Sequence, residues 1–588
     1  MKTFFGSMLG SFVGAIIGLV IIFFIIIGIF AGLVKSIKTK EVQHVYSNSI
    51  LEIKLDHAIG ERTQENPLNI DFDDNTPTHE TAGLNDIVAS IRNAATDSKI
   101  KGIFLDLGSI PAGISTIQTI RKELKDFKAS SGKFIIAYGV DYTQKSYYLA
   151  SVADKVYLYP EGEIFMKGLS VEIMFFKKAL DKLGIQMQVF RHGRFKSFVE
   201  PYIMDKMSPD NRLQLRGLIS SIWDDMLTDI AASRHLTVGN INELANNLTI
   251  NSAKEAMEHN LVDSLLYPDE VKAKLKKMGQ TLENENTFVG VDEYRKSFST
   301  YKTGTGKIAI IYAAGDIISG EGDDQTIGSD RISRAIREAR LDNSVKAIVL
   351  RVNSPGGDGI ASDMIWREVA LAKKEKPFVV SMGDYAASGG YYISCAADEI
   401  VAEPTTITGS IGVFGLLPNA KELLEDKLGI TTDTVSTNAH SAAPSVSYPL
   451  EPKEAMVLQN AIEDFYHTFL KRVADGRNMS IANVDSIGQG RVWSGEQARK
   501  IGLVDTLGSL KVALQIAANK AHLSSYNTEE LPTQINPFHK LLKNFSAESG
   551  KTLLKDALGE IYEPLEDITK FKDMKGVQAR MPYDVSIQ

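Results

Sequence analysis

A single cysteine in 588 residues, Cys395, leaves no possibility of an intrachain disulfide or a multi-thiolate metal site. The chain also lacks an HExxH helix and a Walker phosphate loop, so its chemistry needs neither a metal nor a nucleotide cofactor. No dense Lys/Arg run is present and the net charge is −8, which argues against nucleic acid as a partner. Between Met8 and Val34 charge is missing altogether. That stretch is longer than the roughly 20 apolar residues a bilayer helix requires. It is too long for the core of a cleaved signal peptide, and no small-x-small cleavage site follows it. We read it as one retained N-terminal transmembrane helix that places the chain against membrane lipid. Lys2 precedes the span and Lys35, Lys38 and Lys40 follow it, so the charge bias does not by itself put the bulk of the chain outside.

The chain as a whole has the composition of a folded protein, 44% hydrophobic and 23% charged, and is too long for one core. It is a duplication. IVASIRNAATDSKIKGIFLDL from Ile87 parallels ISRAIREARLDNSVKAIVLRV from Ile332, each an amphipathic helix pattern, a polar turn and a β-rich run. FIIAYGVDYTQKSYYLASVADKV parallels FVVSMGDYAASGGYYISCAADEI, with Tyr147, Tyr148, Ala153 and Asp154 falling 244 positions before Tyr391, Tyr392, Ala397 and Asp398 (154 to 398). SAKEAMEHNLVD from Ser252 matches SGEQARKIGLVD from Ser494. Alternating helical and β-rich patterns predict an α/β unit in each copy. The expected organisation is an anchor and flank over 1–45, copies over 46–300 and 305–525 joined through STYKTGTGK, and a tail over 526–588. Gly60 to Thr81 reads as a long polar surface loop, and Pro537 to Tyr562 as a helix within the tail.

Duplicated folds keep packing residues in both halves, so positions that diverge carry the information. Ser388, in GDYAASGGYYISCAAD, corresponds to Gln144, while Gly389 and Gly390 correspond to Lys145 and Ser146. The turn NSPGGD (Asn353 to Asp358) becomes SIPAG in the first copy. Ser388 is expected at a strand-to-helix turn as a nucleophile. The N–H of Gly389, with that of Gly356 or Gly357, is expected to form an oxyanion hole, since a side chain there would obstruct a substrate carbonyl. The competing reading makes Ser388 a helix N-cap and the glycines ordinary turn formers.

No histidine stands near Ser388 in sequence, so its base must come from elsewhere. The residue 52 positions after each corresponding site is Lys196 in the first copy and His440 in the second. Lys196 lies between Phe195 and Phe198, where burial would depress its pKa enough for a neutral amine to accept a proton. His440 lies in a Ser/Ala/Pro-rich stretch with no evident acidic partner to orient it. Both remain candidates on this ground, Lys196 also having a reading as a solvated base beside Arg191, His192 and Arg194.

The segments KAIVLRVNSPGG, GDYAASGGYYISCAAD, TGSIGVFG, RFKSFVEPYIMDKMSP and GRVWSGEQARKIGLVDTLG resemble the signal peptide peptidase A (protease IV) family in its long, duplicated, membrane-anchored form, over about residues 50 to 520. The resemblance implies tandem crotonase/Clp-protease-like domains, with Ser388 as nucleophile and Lys196 as general base of one Ser/Lys dyad. It further implies a homotetramer on the outer side of the bacterial inner membrane that degrades signal peptides and other apolar peptides without a cofactor. Two rivals are a crotonase-like acyl-CoA enzyme, which needs the glycine turn but not Ser388, and a catalytically silent membrane scaffold.

Overall fold

The β-branched runs Ile100–Asp106 and Val345–Ser354 are each preceded by an amphipathic helix, Leu84–Thr96 and Ser329–Leu341. Near-continuous apolar runs of this kind suit strands covered on both faces, and each becomes a central strand of a parallel sheet. The computed structural model describes residues 18, 45–63, 82–279, 287–298, 304, 306–534 and 577–581. The expected anchor, residues 64–81 of the expected loop and the helix expected from Pro537 to Tyr562 lie outside the described residues. Among those described, no helix is long and apolar enough to cross a membrane.

The first sheet runs Ser264–Leu265, Lys155–Leu158, Phe134–Gly139, Ile100–Asp106, Ser49–Lys54, Phe288–Gly290, all parallel. The second, of eight strands, contains that order as Thr506–Leu507, Glu399–Ala402, Phe378–Ala387, Val345–Ser354, Gly306–Ala314, Tyr526–Leu531, and adds Ile407–Gly409 beside the far end of Phe378–Ala387 and Val492–Ser494 beyond it. Side-chain bonds are duplicated with it. Asp154 accepts from Ile135 N at 2.7 Å as Asp398 does from Phe378 N at 2.9 Å. Tyr147 and Tyr391 donate to the carbonyls of Leu261 and Leu503 at 2.8 and 2.9 Å. The second copy's edge strand, Tyr526–Leu531, lies just past the point where the sequence pattern ends that copy. Its sequence, YNTEEL, has the polar composition of an edge and so gives little strand signal.

A third sheet joins the halves. Its order is Thr326–Gly328, Asp316–Ile318, Gly356–Asp358, Gln578–Arg580, Phe414–Asn419, Gln186–Arg191. The last of these strands comes from the first copy and pairs antiparallel with Phe414–Asn419 of the second from Arg191 to Gln186. Two further contacts fix the halves. Asp384 caps the helix Ile114–Ser131, accepting from Thr116 N at 2.9 Å and Thr116 Oγ1 at 2.6 Å, and burial raises its pKa. Glu61, at the start of what reads in sequence as a surface loop, is instead buried against Arg351, with Nε to Oε2 at 2.8 Å. Burial opposes the Arg351 charge, and the Glu61 carboxylate outweighs it, so the guanidinium pKa is raised.

Removing one partner of such a pair strands the other charge. Glu61→Ala should therefore lower the unfolding free energy by about 3–5 kcal/mol, read from denaturant midpoints; an unchanged midpoint would show that the pair does not join the copies.

Candidate active site

The strand Phe378–Ala387 ends and the helix Gly389–Ser394 begins on either side of Ser388, which takes φ +54° and ψ −113° at the turn. A non-glycine residue there is strained and is held by its surroundings. Ser388 N donates to Gly409 O at 2.8 Å and Ser388 O accepts from Tyr392 N at 2.8 Å. Ser388 stands at the N-cap position of that helix, but its side chain makes no capping bond. The hydroxyl points instead to the first copy, where Lys196 Nζ lies 2.8 Å away.

Lys196 follows the strand Gln186–Arg191, so the inter-copy strand pairing delivers it. The segment is fixed by a buried polar network: Ser197 Oγ donates to Asn211 Oδ1 at 2.9 Å, and Gln214 Nε2 donates to Phe195 O at 3.0 Å. The second copy closes over it, with Phe195 N donating to Gln489 O at 2.9 Å. Gly490, at φ +84°, lies so close that a Cβ there would stand 2.5 Å from Lys196 N.

Lys196 and Ser388 are both 0% exposed. Burial pushes the Lys196 amine well below the ordinary lysine value near 10.5, and among the described residues no carboxylate counters it. A neutral amine has two N–H donors and one lone pair. Nζ lies 2.8 Å from Ser388 Oγ, 3.1 Å from Ser410 Oγ and 3.3 Å from Ser410 O, and the Ser388 hydroxyl donates to Gly412 O at 3.4 Å; with its two N–H groups turned to Ser410, the neutral amine would have its lone pair free for the Ser388 proton.

Gly356 and Gly357, at φ +108° and +152°, bring their turn against Gly389. A Cβ on Gly389 would stand 3.2 Å from Gly357 N, so those two amides are neighbours. Gly356 N is already engaged, donating to Ser354 Oγ at 3.1 Å. Of the three expected amides, those of Gly357 and Gly389 are the ones that Ser354 does not hold.

The corresponding place in the first copy is plugged. Gln144 Oε1 accepts from Lys167 N at 2.9 Å and Gly168 N at 2.6 Å, and its Nε2 donates to Gly168 O at 2.9 Å. His440 is not beside Ser388. It pairs through Nδ1 with Glu454 at 2.9 Å, so the acidic partner not evident in sequence exists, supplied by the first turn of the helix Pro452–Arg477. Ser410 is a site residue absent from the sequence expectations above; its counterpart 244 positions earlier is Met166, the same kind of divergence that marks Ser388.

Residues 128–282 and 370–524 each match Peptidase family S49, at an offset of 242 positions (128 to 370). Protease 4 of Salmonella typhi is 40% identical over 455 residues, covering 76% of this chain and 73% of that protein. Protease 4 of Haemophilus influenzae is 35% identical over 520 residues, covering 84% and 83%. The chloroplastic serine protease SPPA of Arabidopsis thaliana is 34% identical over 445 residues, covering 73% and 64%.

The buried amine makes a pH prediction. Its folded pKa lies below its unfolded value, so between the two the unfolded chain carries a proton that the folded chain does not, and stability rises with pH up to the unfolded value near 10.5. Lys196→Met lacks the group. The unfolding free energy of the wild type minus that of the variant should climb across this window by up to about 1.4 kcal/mol per pH unit. A difference that stays flat from neutral pH upward would mean that the folded chain keeps the amine charged.

Proposed function

Because the chain belongs to peptidase family S49 and is a serine peptidase, we propose that its catalytic dyad is Ser388 and Lys196, one residue from each copy. The observation that carries this is the 2.8 Å approach of Lys196 Nζ to Ser388 Oγ with both groups out of water. The neutral amine takes the hydroxyl proton as Oγ attacks a peptide carbonyl. Gly357 N–H and Gly389 N–H donate to the oxyanion. The ammonium, bonded to Ser410, returns the proton to the leaving nitrogen, and a water activated by the same amine resolves the acyl-enzyme.

The substrates are signal peptides remaining in the membrane and other apolar peptides. Support comes from the uncharged stretch 8–34, which would hold the enzyme where such peptides partition. On this reading the chain is a single-pass protein of the bacterial inner membrane, its catalytic copies on the outer side and assembled as a homotetramer. The last three points rest on the family resemblance.

The test is hydrolysis of an apolar peptide ester against pH by the detergent-solubilised protein. Ser388→Ala and Lys196→Ala should each lower kcat by at least about 10³-fold. His440→Ala should stay within about twofold of wild type. The wild-type rate should rise with pH to a plateau reached well below 10.5, since the neutral amine is the active form. Loss of activity in His440→Ala, with Lys196→Ala intact, would overturn the dyad.

A further inference from the structure

Burial of Lys196 needs a wall, and the second copy supplies much of it as one short turn, 488–491, at the end of the helix Ile481–Ile487. Gly490 lies against the Lys196 backbone, close enough that a Cβ there would stand 2.6 Å from Lys196 Cβ. Gln489 O accepts from Phe195 N, the amide before the base, at 2.9 Å. Arg491 O accepts from Ser410 N at 2.7 Å, and Ser410 in turn offers the amine Oγ at 3.1 Å and O at 3.3 Å. The same turn therefore keeps water from the amine and places the group that its N–H bonds meet.

This wall is strained. Gln489 takes φ +53° and Ser410 φ +50°, left-handed conformations that a residue with a side chain keeps only where its surroundings hold it. The hold on Gln489 comes from Tyr466, in the helix Pro452–Arg477. Gln489 N donates to the Tyr466 hydroxyl oxygen at 3.2 Å, and that hydroxyl donates to Asp485 Oδ1 at 2.6 Å. The other Asp485 oxygen, Oδ2, accepts from Gln489 Nε2 at 3.4 Å. Burial and the Asp485 carboxylate raise the phenol pKa, so the tyrosine keeps the proton it donates.

The Tyr466 ring has a second neighbour. His192, which belongs to the first copy and precedes Lys196 by four residues, stacks on it with ring centroids 4.0 Å apart and planes 21° from parallel. His192 Nδ1 lies 2.5 Å from Glu463 Oε2, and Gln459 Nε2 donates to the other oxygen of that carboxylate at 2.8 Å. One buried tyrosine thus touches the first copy through its face and the wall of the base through its hydroxyl. Packing alone would be met by the ring. The hydroxyl, bonded both to the strained turn and to the helix before it, is what packing does not explain.

We propose that Tyr466 is a positioning residue for the reaction: clamped by Asp485, its hydroxyl fixes the turn 488–491 that keeps Lys196 dry and sets Ser410 beside its amine. This rests on the dyad of the preceding subsection. Tyr466 hydrogen-bonds to neither Ser388 nor Lys196 and acts through the turn. Without the hydroxyl, Gln489 N loses its partner, the strained backbone loses its restraint, and water gains a way to the amine. Water favours the charged amine, so the folded pKa of Lys196 moves up toward its ordinary value and the base is protonated where wild type is active. The ionisable groups facing the ring are Asp485, Glu463, His192 and His467, and replacing Tyr466 leaves all four in place.

The experiment compares Tyr466→Phe with wild type, as full-length detergent-solubilised chains, in hydrolysis of an apolar peptide ester against pH. Phenylalanine keeps the ring and its stack and removes the hydroxyl. The expected result is a kcat at neutral pH lower by about tenfold or more with KM within about twofold, and a deficit that narrows as pH rises because the profile has moved up by about one unit. Tyr147→Phe removes a comparably buried hydroxyl from the first copy and should leave the profile in place, which controls for a general loss of stability. Asp485→Asn weakens the same clamp and should move the profile the same way by less; it carries the test if Tyr466→Phe does not fold. If the two clamp variants lower kcat equally at every pH, or leave it unchanged, the tyrosine only packs and the inference is wrong, while the dyad stands as long as Lys196→Ala is inactive. If Lys196→Ala hydrolyses the ester as fast as wild type, the dyad itself fails and this inference falls with it.

Discussion

The site depends on one strand pairing. Gln186–Arg191 of the first copy is hydrogen-bonded to Phe414–Asn419 of the second, and Lys196 stands five residues beyond its last rung. A lysine stem reaches only a few ångströms, so its amine meets Ser388 only while that ladder is in register. The same closeness removes water from the amine, because Gly412 and Gly490 have no side chains to hold the walls apart. Positioning and pKa thus have one cause.

The protein buries a second cation between the copies and treats it in the opposite way. Arg351 keeps its charge because Glu61 reaches it with a carboxylate and Ser381 Oγ and Met382 O accept its remaining donors. Lys196 meets serine oxygens and, among the described residues, no carboxylate. Guanidinium resists deprotonation whatever its surroundings, whereas an ammonium yields when desolvated. One seam therefore holds a permanent charge that ties the copies together and a suppressed charge that can accept a proton. A carboxylate near Lys196 would favour the ammonium and disable the base.

The sequence carried most of this because duplication separates what a fold needs from what chemistry needs. Shared tyrosines and aspartates mark the matching sheets, and their hydrogen bonds recur in both halves. Divergent positions mark the chemistry: Ser388 against Gln144, and Lys196 against His440. Other features carry a weaker signal or none. Ser410 diverges from Met166, but serine in a Gly-rich turn has an ordinary structural use. Glu61 read as a loop residue because its partner, Arg351, is 290 positions away. The strands Tyr526–Leu531 and Gln578–Arg580 are polar in pattern, one lying at a sheet edge and the other fitting a slot made by the rest of the chain.

The glycine turn beside the nucleophile is packed as closely as the seam. A Cβ at Gly357 would stand 2.1 Å from Ile317 O, and one at Gly389 would stand 2.7 Å from Ser362 Oγ. Neither position can be enlarged, so the turn keeps the shape that leaves its backbone bare beside Ser388. The burial of Ser388 and Lys196 acts on the same chemistry. A dry hydroxyl beside a dry amine gains from proton transfer only where groups stand ready to receive the charge it creates, and Ser410 stands beside the amine to do so. Close packing thus fixes the geometry of the site and sets where charge can form within it.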